Sequence, residues 1–105
     1  MTSYSKAVRQ HELSFGRSRK GYVVEVSKRK DRPYDGTILM RIDHGPDSDL
    51  LGYSPIVYPS YQEAVAANKD ENWPGMKGKH RVIALDGRDV LRDHSSPGSW
   101  KVSPP

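Results

Sequence analysis

Four cations stand within five positions at Lys28, Arg29, Lys30 and Arg32, broken only by Asp31, and Tyr34 follows two residues later. A second basic cluster, Arg17, Arg19 and Lys20, precedes them. Lysine and arginine at this density neutralise phosphate oxygens and displace counterions from a nucleic-acid backbone. A tyrosine beside them can stack on an unpaired base or pack under a lysine stem. If a strand joins the clusters, about seven residues at ~3.3 Å each set them ~23 Å apart. That exceeds the ~8 Å Debye length at physiological salt, so they act as separate anchors. It also spans about seven steps of a duplex at ~3.4 Å per step. The competing partner is an acidic protein surface, and the plainest alternative is a charged loop that only keeps the domain in solution.

Other residue sets suggest other chemistry. His80 beside Lys79 and Arg81, or His94 near Arg92, has the residue types of a small metal-independent ribonuclease. There an imidazole moves protons and cations stabilise the developing phosphorane. Spacing fixes no second acid or base. Asp43, His44, Asp47 and Asp49 gather carboxylates on a loop, but glycine is missing at the turn position and no closing glutamate follows, so this is no EF-hand. Gly75-Met76-Lys77-Gly78-Lys79-His80 lacks the first glycine and the Ser/Thr of a phosphate loop. No cofactor or metal is expected. Tyr53, Tyr58, Trp73 and Trp100 are candidates for a protein-contact patch, since amphipathic aromatics dominate interfaces. Core packing is their commoner use. Trp100, set among Ser, Pro and Gly, reads as a recognition anchor or a residue folded back on the domain.

The basic turn needs a scaffold. Tyr22, Val24 and Val26 fall in one phase of the strand period, as do Ile38, Met40 and Ile42. With the Pro/Asp/Gly cluster between them, the two runs predict a β-hairpin whose tip carries the cations. The opposite face, Val23, Glu25, Leu39 and Arg41, lacks the paired aromatics of an RNA-recognition sheet. A third short strand is expected over residues 54–58, bracketed by Pro55 and Pro59 and therefore at a sheet edge open to a partner.

Ser60 followed by Glu63 is a capping box and predicts a helix from Tyr61 to about Lys69, with Tyr61, Ala64, Val65 and Asn68 on one stripe. A strand over 79–85, an Asp86-Gly87 hairpin turn and a last strand over 88–92 complete the order β-β-β-α-β-β. The expected fold is α+β, a mainly antiparallel sheet of four to five short strands with one docked helix. A short N-terminal helix over 5–13 follows the spacing of Tyr4, Val8 and His11.

The organisation expected is a basic polar arm over 1–20, a single domain over 21–93 and a disordered Ser/Pro-rich tail over 94–105. Charge is uneven. Residues 1–41 hold ten Lys/Arg against four Asp/Glu (+6), and residues 42–105 seven against nine (−2), for a net of +4. No apolar run approaches the ~20 residues of a membrane span, so no membrane partner is expected. The absence of cysteine points to an intracellular, cytoplasmic setting. The reading that follows is a non-catalytic basic module that binds nucleic acid, with an adaptor or inhibitor of acidic proteins second and a ribonuclease third.

Overall fold

Tyr-Val-Val-Glu-Val-Ser, rich in β-branched residues, forms β1 (Tyr22–Ser27), the strand on which the other layers pack. The structure is a computed structural model and describes residues 20–69, 78–94 and 98–103, together with Lys6. After β1 come β2 (Met40–His44), β3 (Leu50–Pro55), helix α1 (Tyr61–Ala67), β4 (Lys79–Ala84), β5 (Val90–Asp93) and β6 (Ser99–Val102). The described residues form an α+β fold of six strands in antiparallel pairs, β1–β4, β2–β3 and β5–β6, with one helix. The N-terminal helix expected over 5–13 lies, Lys6 apart, outside the described residues.

Residues 36–39 knit the three pairs together. On one side Thr37 accepts from the Val26 N–H (2.8 Å) and the Leu39 N–H donates to Val24 (2.8 Å). On the other, the Ile38 N–H donates to Trp100 (3.2 Å) and Gly36 accepts from Val102 (3.0 Å). Leu39 also accepts from the Ile56 N–H at 3.2 Å, which ties in the end of β3. The hairpin expected from the sequence is therefore only its first step. β1 pairs along its length with β4, and the returning chain touches β1 through 37–39 before leaving to pair with β3. The alternating face of the return strand shows this departure: Ile38 is buried, Met40 half-buried and Ile42 exposed.

β1 is covered on both faces, so Val23, Val24, Glu25, Val26 and Ser27 are all buried. A strand buried on both sides reads as a continuous run, not as an alternation. Val23 joins Ile38, Leu85, Val90, Trp100 and Val102 in the core, with Met40, Val57 and Ile83 packed against it. The helix lies against the other face, where Tyr22 meets the Tyr61 ring edge-on at 6.1 Å and Ala64 is fully buried. Residues 99–102, read from composition as part of a disordered tail, instead form β6, and Trp100 is 1% exposed. Local composition missed this because the residues that bury the indole come from distant strands.

The helix starts as its sequence dictates. The Glu63 N–H donates to Ser60 Oγ (3.2 Å), and the Ser60 hydroxyl donates to the Glu63 carboxylate (3.1 Å). It ends at Asn68, whose buried amide donates to the Ala64 carbonyl (2.7 Å) and the Tyr58 hydroxyl (3.3 Å). The Asp86-Gly87 turn forms with both residues at positive φ (46° and 85°) and an Arg88 N–H to Leu85 bond of 2.8 Å. The chain after it does not fold back on β4; β5 pairs with β6. Among the described residues no helix is long and apolar enough to cross a membrane.

Candidate nucleic-acid interface

β1 ends at Ser27, and the turn that follows is held by that residue. Its hydroxyl donates to the Arg29 carbonyl at 3.0 Å and lies 3.4 Å from that of Arg32. The Arg32 N–H closes the loop on Arg29 at 3.3 Å. Lys28, Arg29, Lys30 and Arg32 are all exposed, and among the described residues none of the four makes an ion pair. Their backbone is fixed while their charges stay in solvent.

The antiparallel register then brings two further cations to the same end. Ser27 sits opposite Lys79, and Glu25 opposite Arg81. The pleat points these four side chains to one face. On that face the Tyr34 ring lies beneath the Arg81 guanidinium (4.2 Å) and the Lys79 ammonium (4.8 Å). Such contacts favour a cation over the ring. Glu25 is buried, and its carboxylate would be costly there without partners. It accepts from Arg81 Nε at 2.7 Å and from the Gly36 N–H at 2.7 Å. Tyr34, expected to face a base or a lysine, is half-buried and serves as the platform for Arg81 and Lys79.

Beside the turn lies a cleft of about 210 Å³, walled by Ser27, Lys28, Arg32, Asp35, Asp93 and Lys101 among others. Lys101 stands 3.4 Å from Asp93 and 4.0 Å from Asp35. The Asp35 carboxylate accepts from the Thr37 N–H at 2.9 Å. The Thr37 side chain foremost, with its N–H and Lys101, holds that carboxyl below the usual aspartate range, against a smaller opposing effect of burial.

The remaining candidates separate. Lys20 is exposed, just before β1 and so at the end away from the turn; Arg17, Arg19 and Trp73 lie outside the described residues. Trp100 is in the core and cannot serve as a free tail anchor. Tyr58 exchanges backbone bonds with Tyr22 (2.9 and 2.8 Å), so together with the Ile56 bond the edge expected to be open over 54–58 is largely occupied. Tyr53 is half-buried, and its ring fills the space a Cβ on Gly98 would need. His80 pairs opposite Val26, on the face away from Lys79 and Arg81, so the pleat splits the imidazole from the cations expected to assist it. His94 is exposed beyond β5. The acidic loop 43–49 is a tight β2–β3 connection: the Gly45 N–H donates to Asp49 (2.7 Å), and Asp43 pairs with Arg41 (3.0 Å).

Lys79 and Arg81 are the members of the basic end that sequence reasoning did not join to it. They lie about fifty positions from Lys28, and only the β1–β4 register unites them. The chain matches no family model, no curated protein and no solved structure.

Proposed function

We infer that this domain is a non-catalytic, cytoplasmic module that binds nucleic acid through the basic end formed by Lys28, Arg29, Lys30 and Arg32 with Lys79 and Arg81. The carrying observation is the exposure of the four turn cations without an ion pair among the described residues, on a backbone held by Ser27. The four turn cations with Lys79 beside them, and Arg81 partly offset by Glu25, form a field suited to a polyanion. Lys79 and Arg81, laid over Tyr34, are held in place more firmly than free surface side chains. Electrostatic binding of this kind weakens linearly in log–log form with salt.

The test is a salt titration of oligonucleotide affinity for the intact chain and for Lys28/Arg29/Lys30→Ala. The triple variant should flatten the slope by about one unit per lost phosphate contact. An unchanged slope in a folded variant would remove the reading.

A further inference from the structure

The cleft beside the basic turn has mixed walls. Its cations Lys28 and Arg32 suit an anion, while the carboxylates of Asp35 and Asp93, bridged by Lys101, share the lining and leave the exposed Asp35 as a hydrogen-bond acceptor. A ligand that fits must present an anion and a hydrogen-bond donor a few ångströms apart. A DNA strand offers only acceptors along its sugar–phosphate backbone, whereas RNA adds one donor per residue, the 2′-hydroxyl. Resting on the nucleic-acid reading, we propose that this cleft receives one ribose–phosphate unit of single-stranded RNA. The phosphate lies against Lys28 and Arg32, and the 2′-hydroxyl donates to the Asp35 carboxylate.

Several features fit this occupant. The cleft's 210 Å³ is below the ~300 Å³ floor of drug-sized pockets, so it suits one backbone unit and not a longer segment. One oxygen of Asp35 is engaged by the Thr37 N–H and the other faces the Lys101 ammonium at 4.0 Å, while the side chain remains 62% exposed and open to a further donor. The same Thr37 contacts, with Lys101, favour the ionised carboxylate, a strong acceptor. A second cleft of about 460 Å³ shares Asp35, Asp93 and Lys101 with the first and continues over Leu91 and Arg92. Leu91 is 52% exposed. This apolar side chain gives the attached base a surface to lie on.

The probes are single-stranded oligouridine, oligodeoxyuridine and 2′-O-methyl-oligouridine of one length, bound to the full chain and followed by fluorescence anisotropy. Oligouridine should bind about tenfold more tightly than the other two, the worth of one charged hydrogen bond. The 2′-O-methyl strand separates loss of the donor from loss of ribose shape. Asp35→Ala should bring the three affinities together while leaving the salt slope intact. Asp35→Asn, which keeps an acceptor for the Thr37 N–H, should retain part of the preference. Equal affinities for the wild type, or a preference surviving in Asp35→Ala, would overturn the proposal while leaving nucleic-acid binding standing. Failure to bind any of the three strands would overturn both.

Discussion

Glu25 and Arg81, 56 positions apart in the chain, meet across the β1–β4 ladder with Nε 2.7 Å from Oε1. The carboxylate is buried and the guanidinium is half in solvent, so the pair anchors a surface cation to an interior anion. Removing the cation strands the anion. Arg81→Ala should destabilise the fold by about 2 kcal/mol, with Gly36 and entering water limiting the loss. Arg81→Lys keeps the charge but not the planar fork or its stacking on Tyr34, and should recover only part. Urea denaturation midpoints measure both, and a wild-type midpoint for Arg81→Ala would contradict the arrangement.

Among the described residues Trp100 supplies the largest fully buried side chain. Its replacement by alanine should cost about 3–5 kcal/mol, a large share of the ~5–15 kcal/mol that holds a small domain. In a Trp73→Phe background the remaining indole reports this site alone. Its emission should be that of a buried ring and shift to the red on unfolding. Solvent-exposed emission from the folded variant would contradict β6.

The Ser60 cap is a smaller and cleaner test. Ser60→Ala should cost about 1 kcal/mol, and Ser60→Asn, which retains an acceptor for the Glu63 N–H, should recover most of it. The two unfolding midpoints should therefore separate. If they coincide, the cap contributes nothing.

Asp35 carries a pH signature. Its folded-state pKa lies below the unfolded value of about 4 because Thr37 and Lys101 favour the ionised form. Its contribution is thus complete above ~4 and is lost as pH falls through the depressed folded value. Wild type should be more stable than Asp35→Asn at neutral pH, and the gap should close on acidification below about pH 4. A gap that widens on acidification would reverse the sign of the shift.

Local signals in this sequence are trustworthy where their physics is local. Ser60 with Glu63 announces the helix start, and Asp86-Gly87 announces a turn with positive φ, because both depend on a few adjacent residues. Strand partners are another matter. Nothing near Tyr22 or Ile38 says that β1 will choose β4, or that 37–39 will be shared with β6. The same gap governs the candidate site. The cations of the turn are legible as a run, but Lys79 and Arg81 join them only through register, and Glu25 looks like an outward residue until both faces of β1 are covered. Trp100 was hidden for the converse reason: its own neighbours are small and polar, while its packing partners are remote.

The sharing of residues 36–39 between β1 and β6 carries a consequence for biosynthesis. A growing polypeptide cannot shield its indole or fill the second flank of that segment until Val102 has left the ribosomal exit tunnel. Folding is thereby governed by contacts between remote parts of the chain, which form slowly. Until then the early apolar strand and its cationic bend are exposed together to whatever polyanion lies nearby, the messenger and the ribosomal RNA included.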